Sequence, residues 1–320
     1  MRPFAFVVAR ARFARACVLS GTLLVASGAC HGYTEEPGLP GVIDMPVAVL
    51  SASANDITTT DLYLADASGN MTRKIPTFVG PKWQVRWSGD GRRLAITGNT
   101  LAPTSDDVTS ASDVWTVNAD GTALQRITTD GVSGFASWLP DGRLIYVSVV
   151  PGAGLQWYAV PASGGPPVPI TLRNGQPVYA PDWSRTGPRM SFNDERTIFT
   201  ASVDGANERA LATGALPRWS PTGDRIAYLG LVNGNPSLLV IRSDSSSAPT
   251  VAATDLSQFV GGFAWSQDGT KIVWIRREAA GVEAVVSPAN GSGTPTPLVQ
   301  RSPVLVPYDV DVDWRPTVAK

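Results

Sequence analysis

The chain has 320 residues, of which 43% are hydrophobic and 17% charged, so it carries enough apolar material for a packed core and is not disordered throughout. Its formal net charge of −1 gives no electrostatic support for binding to nucleic acid. The 31 glycines and 26 prolines are dispersed without a period, which favours many short strands joined by turns.

The first 29 residues have the layout of a secretory signal. Several arginines precede an apolar segment at 16–29, and no acidic residue occurs before Glu35. The apolar segment is shorter than the stretch of about 20 apolar residues that a transmembrane helix needs to span the bilayer. The sequence therefore predicts an exported protein whose residues 1–29 are a signal peptide outside the fold.

Cys30 follows a small-residue site that fits two processing routes. Ser27-Gly28-Ala29-Cys30 resembles a bacterial lipobox, in which the cysteine is acylated, although Ser27 stands where leucine is usual. Cleavage after Ala29 by ordinary signal peptidase is the alternative, because small residues also stand at both required positions. We expect lipidation at Cys30, a tether over 30–45, and attachment to the outer membrane through the lipid alone. The other cysteine lies in the signal, so no disulfide is predicted.

A ten-residue phrase such as WSPTGDRIAY or WSQDGTKIVW is the main indication of the fold. Each of its five copies has a tryptophan, a glycine four residues later, a basic or polar residue and an alternating apolar run. A sixth tryptophan ends the pattern, and the mean interval of about 45 residues is the length of a four-stranded propeller blade. The six repeated tryptophans are Trp87, Trp138, Trp183, Trp219, Trp265 and Trp314.

Each blade is predicted to contain four strands, A to D. Strand A carries the tryptophan, and a tight turn with the glycine in the left-handed conformation leads to strand B. A shorter phrase such as DVWTVNADG supplies strand C and a turn to the outer strand D. The alternation of apolar and polar residues has the period of two that strands require.

The two ends of the pattern predict how the ring closes. Residues 47–53 look like a strand B without a strand A, and residues 310–314 like a strand A without a strand B. We therefore predict an all-β, six-bladed β-propeller over 46–317, in which the C-terminal strand joins the N-terminal blade and removes an exposed sheet edge. The predicted blades cover 46–78 with 308–316, 82–130, 133–172, 178–214, 215–255 and 259–301.

The repeats of this chain resemble the WD40-like repeat units of TolB-type propellers. Their common form is W-S-P-D-G, followed by R-[LI]-A-[FY] and then by D-[IV]-[WY]-x-x-x-x-D-G. The resemblance covers about 46–317. The same units build the propeller of prolyl-oligopeptidase-type enzymes, so the resemblance implies a fold far more than a function. We expect this chain to have no room for the α/β domain ahead of the TolB propeller or for a hydrolase domain. A role in the Tol–Pal envelope system is therefore not directly implied.

The predicted propeller has few residues suited to catalysis. The sole histidine is His31, in the tether, which excludes from the propeller a Ser-His-Asp or Cys-His nucleophile and a zinc site of His and Cys. No phosphate-binding glycine loop occurs. We predict a non-catalytic protein with no cofactor. Five aspartates fall in predicted turns, where backbone geometry favours them: Asp90, Asp141, Asp268, Asp120 and Asp204.

The residue before each repeated tryptophan defines a candidate binding site at the propeller axis. In blades 1 to 6 these residues, here named the axial ring, are Asp313, Arg86, Ser137, Asp182, Arg218 and Ala264. The residue before each of them is apolar, so the alternation turns the axial ring toward a more polar surface. The order predicts ion pairs between neighbouring blades, Asp313 with Arg86 and Asp182 with Arg218, which either fix blade register or grip a ligand or peptide.

Asp309, Asp311 and Asp313 alternate with valines, so the three acids share one strand face. Like charges repel, so they need an arginine, solvent or a hard cation, and Ca²⁺ is one alternative to the prediction of no cofactor. The candidate channel site consists of Arg86, Asp182, Arg218, Asp311 and Asp313.

The fold and the lack of catalytic groups favour an interaction scaffold. We expect a monomeric propeller that presents one face to an envelope protein or a peptidoglycan-associated partner. One alternative is a propeller that binds carbohydrate or a small molecule, including a carboxylate-dependent enzyme acting on glycans. Another is a sensor or accessory subunit whose activity lies in a second protein. The longest insertion, at 99–113, is a candidate binding loop.

Overall fold

A computed structural model describes residues 46–316, apart from 53–58, 67–70, 101–111, 174–175, 177, 255, 257–258, 279–280 and 303–310. The predicted signal peptide, Cys30 and the tether lie outside the described residues, as do Asp309 and most of the insertion at 99–113. The described strands form six four-stranded antiparallel sheets arranged in a ring, which confirms the predicted all-β, six-bladed propeller.

The blades follow one another in chain order. Blade 1 takes β1 (Val47–Ala52), β2 (Thr60–Ala65) and β3 (Met71–Ile75), and blade 2 takes β4 (Lys82–Trp87), β5 (Arg93–Gly98), β6 (Asp113–Asn118) and β7 (Gln125–Arg126). Blade 3 takes β8 (Ser133–Trp138), β9 (Leu144–Val150), β10 (Gly154–Val160) and β11 (Val168–Ile170), and blade 4 takes β12 (Tyr179–Trp183), β13 (Arg189–Asn193), β14 (Thr197–Ser202) and β15 (Arg209–Thr213). Blade 5 takes β16 (Ala215–Trp219), β17 (Arg225–Val232), β18 (Asn235–Arg242) and β19 (Thr250–Ala253), and blade 6 takes β20 (Phe259–Trp265), β21 (Lys271–Glu278), β22 (Gly281–Pro288) and β23 (Thr296–Ser302).

The last strand, β24 (Val312–Trp314), closes the ring as predicted. It is strand A of blade 1 and pairs antiparallel with β1, so that Trp314 lies opposite Val47. Just before it, the carbonyl oxygen of Asp311 accepts a hydrogen bond from the backbone N–H of Leu50 at 2.9 Å. Trp314 packs among buried apolar residues of both blade 1 and blade 6. The two ends of the chain therefore share one sheet and one part of the core.

The apolar core of the described residues consists of clusters at the junctions between neighbouring blades. Each of the six junctions, including that between blades 6 and 1, has a cluster of its own that contains one of the repeated tryptophans. All six tryptophans are at most 8% exposed. A tryptophan buries a large apolar area, so the repeated tryptophan is the main filler between one blade and the next.

The basic residue of the repeat links neighbouring blades. Arg225 of blade 5 lies with its guanidinium carbon 5.0 Å from the ring centre of Trp265 in blade 6. Its Nη2 also donates a hydrogen bond to the carbonyl oxygen of Gly269, the repeat glycine of blade 6, at 2.8 Å. One blade earlier, Arg189 stacks in the same way on Trp219, at 4.7 Å. The sequence pattern includes this basic residue but does not predict its role.

The repeat glycines adopt the predicted left-handed conformation with one exception. Four of them have φ between 63° and 84°: Gly91, Gly142, Gly223 and Gly269. At Gly187 the prediction is wrong, since this glycine has no positive φ. Pro188 follows it, and a proline ring restricts the preceding residue to more extended backbone conformations.

Arg225→Met retains much of the aliphatic length of the side chain but removes its hydrogen bond to blade 6 and its charge over Trp265. The loss of one hydrogen bond and one cation–π contact should lower the free energy of unfolding by about 1–2 kcal/mol. Urea unfolding followed by circular dichroism measures this. The control is Arg242→Met in the same blade, where the side chain is 48% exposed and the change should stay below about 0.5 kcal/mol. Equal effects would contradict the inter-blade role of Arg225.

Candidate functional site

A cavity of about 570 Å³ lies at the end of the propeller axis where strands A turn into strands B. Its wall contains all six residues of the axial ring and all six repeated tryptophans. Every blade therefore contributes to one shared site, and the structure places the whole axial ring in its wall. Asp311, the remaining member of the candidate channel site, is 2% exposed and is not part of the wall.

β-Bulges in strand A lie next to the axial ring. In blades 2 to 6 the pairing of strands A and B shifts register in the residues that lead to the tryptophan. Three non-glycine residues there have positive φ, namely 51° at Phe135, 46° at Ala180 and 55° at Leu216. Such angles are uncommon for residues with a side chain, and a bulge re-aims the side chains that follow. Sequence reasoning missed these bulges, because Phe, Ala and Leu carry no signal for the left-handed conformation.

Arg218 of blade 5 and Asp182 of blade 4 lie side by side, as their order around the ring predicted. Nη1 of Arg218 is 3.4 Å from Oδ1 of Asp182. The other oxygen of Asp182 accepts a hydrogen bond from the backbone N–H of Trp219 at 2.7 Å, so this carboxylate bridges two blades. Burial lowers the pKa of Arg218, and repulsion from Arg86 adds to the effect.

Arg86 forms its ion pair with Asp311 and not, as predicted, with Asp313. Nη1 of Arg86 and the backbone N–H of Val85 both donate to Oδ2 of Asp311, the latter at 2.9 Å. Burial disfavours the Arg86 cation, but the charges of Asp311 and Asp313 outweigh burial and raise its pKa. This pair is more buried than the pair of Arg218 with Asp182.

Asp313 binds backbone groups instead. Its Oδ2 accepts a hydrogen bond from the N–H of Trp87 at 2.7 Å, and its Oδ1 accepts one from the N–H of Trp314 at 3.0 Å. These bonds favour the ionised form, but burial has the larger effect and raises the pKa of Asp313. The predicted partner of Arg86 was wrong because Asp311 and Asp313 share a face but are separated by about 7 Å along the strand. Alternation alone does not tell which of the two acids lies nearer to Arg86.

The other two carboxylates of the cavity wall are bound within their own turns. Asp90 accepts hydrogen bonds from Ser88 Oγ at 2.6 Å and from the N–H of Arg92 at 3.0 Å. Asp141 forms an ion pair with Arg143 at 2.7 Å. The structural role predicted for the turn aspartates is confirmed. As at Asp90, the side-chain oxygen accepts a hydrogen bond from the backbone N–H two residues later in four further aspartates, Asp141, Asp120, Asp204 and Asp268.

Among the described residues no group of three or more His, Cys, Asp or Glu is placed to hold a metal ion. Asp309 is not among them, so Ca²⁺ binding at the C-terminal acids stays a prediction. The part of the chain that the structure describes has no helix of the length and apolarity needed to cross a membrane.

Comparison with curated proteins gives partial matches, and no protein-family model matches the chain. Dipeptidyl-peptidase 5 of Porphyromonas endodontalis is 32% identical over 106 residues, which are 32% of this chain and 15% of that protein. The Tol-Pal system protein TolB of Alcanivorax borkumensis is 24% identical over 112 residues, or 35% of this chain and 24% of that protein. The matches thus span no more than about a quarter of either relative.

Solved structures resemble the chain over most of its length. TolB from Acinetobacter baumannii superposes with a TM-score of 0.68 at 16% identity, covering 88% of this chain and 69% of that one. A putative TolB from Agrobacterium tumefaciens superposes with a TM-score of 0.52 at 17% identity, covering 85% and 99%. The fold and the cavity define a six-bladed propeller with a polar axial site. Within that class the chain has a TolB-like propeller, and at such identities the likeness extends to the fold alone.

A pair of double-mutant cycles tests which acid is the partner of Arg86. One cycle combines Arg86→Met with Asp311→Asn and the other combines it with Asp313→Asn. The coupling energy should be about 2 kcal/mol or more with Asp311 and less than about 1 kcal/mol with Asp313, because only Asp311 contacts the guanidinium. Free energies of unfolding in urea provide both values. A larger coupling energy with Asp313 than with Asp311 would support the pairing of Arg86 with Asp313 that the sequence predicted.

Gly262 leaves the space that Asp311 occupies. A Cβ atom at this position would lie 1.8 Å from Oδ1 of Asp311. Gly262→Ala should therefore push Asp311 away from Arg86 and lower the free energy of unfolding by about 2–3 kcal/mol. Gly89→Ala is the matched control, since a Cβ there meets nothing within 4 Å. Similar unfolding curves for the two variants would show that Asp311 does not approach residue 262 so closely.

Proposed function

We propose that the chain is an exported, non-catalytic interaction module of the cell envelope that holds a segment of a partner protein in its axial cavity. The observation that carries this proposal is the polar cavity of about 570 Å³ whose wall comes from all six blades. Concave, pre-formed sites with a few converging polar groups are typical of binding pockets. The ring of packed blades holds such a site in place without any need for a moving lid.

An envelope location is supported by two features. The N-terminus has the arginines and the apolar segment of a secretory signal, and Cys30 is the proposed lipidation site that would tether the propeller to the outer membrane. The name of one curated relative places that relative in the Tol–Pal system, and two solved TolB structures share the fold. The partner we propose is accordingly an envelope protein or a peptidoglycan-associated protein.

The state of the carboxylates favours binding over catalysis. An acid-dependent glycan enzyme needs one carboxyl group that can direct a proton at the substrate and a second that acts as base or nucleophile. Both oxygens of Asp313 are engaged by backbone N–H groups, and Asp182 is held by Trp219 N–H and Arg218. The relative with a peptidase name matches over only 15% of its own length. We therefore place catalysis second to partner binding.

Site-specific photocrosslinking tests the proposed interaction. The photoreactive residue p-benzoylphenylalanine replaces Ser137 in the axial ring of the full-length chain expressed in its native host. The control carries it at Thr250, an exposed position on the outer strand of blade 5. Irradiation should yield a reproducible protein adduct, identified by mass spectrometry, at position 137 and not at position 250. The reason is that only position 137 lies in the cavity wall.

Two results would count against the proposal. Adducts of equal yield from both positions would mean that contact is not centred on the cavity. An absence of protein adducts at position 137, with the variant folded and exported, would remove the interaction function and return the glycan-acting alternative to first place. Purified chain would then be tested on peptidoglycan fragments, with Asp182→Asn as the inactive control.

A further inference from the structure

Acidic and basic groups in the wall of the axial cavity differ in how far their hydrogen-bonding capacity is used. Every carboxylate of the wall already accepts hydrogen bonds from backbone or side-chain donors of the chain. Two of them receive a backbone N–H at 2.7 Å, the N–H of Trp87 and that of Trp219. The four acids concerned are Asp90, Asp141, Asp182 and Asp313. The acids of the wall are thus internally satisfied.

Three arginines of the same wall keep unused donors. Among the described residues Arg218 has one side-chain hydrogen-bond partner, Asp182 at 3.4 Å, although a guanidinium offers five N–H groups. Arg93 and Arg185 make no side-chain hydrogen bond or ion pair with any residue that the structure describes. Arg86 differs in that its Nη1 donates to both Asp311 and the backbone carbonyl of Val85, although its buried Nε has no partner among the described residues. Among the charged groups of the cavity wall, the unused hydrogen-bonding capacity is therefore that of the arginines.

The surroundings of Arg218 make an additional anion favourable there. Its side chain is 18% exposed, and its contact with Asp182 is longer than a good charge-assisted hydrogen bond. Burial together with repulsion from Arg86 disfavours the Arg218 cation. A second negative group beside Arg218 would offset both effects in a setting of reduced dielectric constant.

We infer that the axial cavity selects an acidic segment of its partner, with an Asp or Glu side chain or a C-terminal carboxylate bound by Arg218 and assisted by Arg93 and Arg185. A carboxylate can accept two parallel N–H bonds from one guanidinium, which gives direction as well as strength. The repeated tryptophans of the wall offer aromatic surface to the residues that flank the acid. This inference rests on the proposed interaction function and specifies the chemistry of its ligand.

Peptide selection tests the inference. A phage library of random twelve-residue peptides with free C-termini is selected on the immobilised propeller with its native sequence, on Arg218→Gln and on Arg242→Gln. The native sequence should enrich Asp, Glu or a defined C-terminal residue at least threefold over the unselected library. Arg218→Gln should lose this enrichment, whereas Arg242→Gln, changed at an exposed arginine outside the cavity, should keep it.

Binding of the best selected peptide gives the second measurement. By calorimetry, Arg218→Gln should weaken its binding at least tenfold, which corresponds to about 1.4 kcal/mol. Replacing the acid of the peptide by its amide should weaken binding to the native protein by a similar factor. The same replacement should hardly change binding to Arg218→Gln, because the peptide change and the protein change remove the same interaction. Arg185→Gln, at an exposed position, should weaken binding of the peptide about threefold. This variant replaces Arg218→Gln in the test if Arg218→Gln does not fold.

The outcomes separate the two proposals. Selected peptides that show neither enrichment of Asp or Glu nor a defined C-terminal residue would overturn the inferred carboxylate preference and leave the interaction function standing. Selected peptides that bind Arg218→Gln as tightly as the native protein would do the same. If the native protein selects no peptide that competes at the cavity, the interaction function falls and the inference falls with it.

Discussion

The pairing of β24 with β1 is the contact on which the rest of the propeller depends. A chain of blades has an unpaired edge at each end, and such edges invite aggregation unless they are covered. Here the C-terminal segment fills the missing position of blade 1 and also supplies Asp311 and Asp313. These acids bind Arg86 and the backbone of Val85 and Trp87 in blade 2. One short segment thus joins blades 6, 1 and 2 and places two charges next to the axis.

The repeated phrase is a set of contacts with neighbouring blades. Its tryptophan fills the junction between two blades, and its basic residue, as at Arg225, reaches the tryptophan and repeat glycine of the next blade. The residue before the tryptophan faces the axis, where all blades meet. Cohesion between blades and the shape of the binding site therefore depend on adjacent residues of the same strand. A substitution in strand A will affect both.

Features that depend on spacing along the chain could be predicted from the sequence, whereas features that depend on the stagger and bending of strands could not. Strand number, closure and the axial ring depend on spacing and on the period of two, both of which are visible in one chain. The partner of Arg86 depends on how neighbouring strands are staggered, so Asp311 and Asp313 could not be told apart from alternation alone. The bulges near Phe135 and Leu216 depend on how strand A bends, and their residue types give no sign of it.

Stability alone does not explain the charges on the axis. Two of the six axial-ring positions carry uncharged residues, Ser137 and Ala264, so a blade of this propeller does not need a charged side chain at that position. Buried ion pairs seldom repay their loss of hydration unless their geometry is good, and within the described part of the chain Arg218 has one ion-pair partner, at 3.4 Å. A guanidinium held in this state costs the folded chain some stability. Functional sites commonly carry such a cost, and a ligand carboxylate at Arg218 would offset it at the moment of binding.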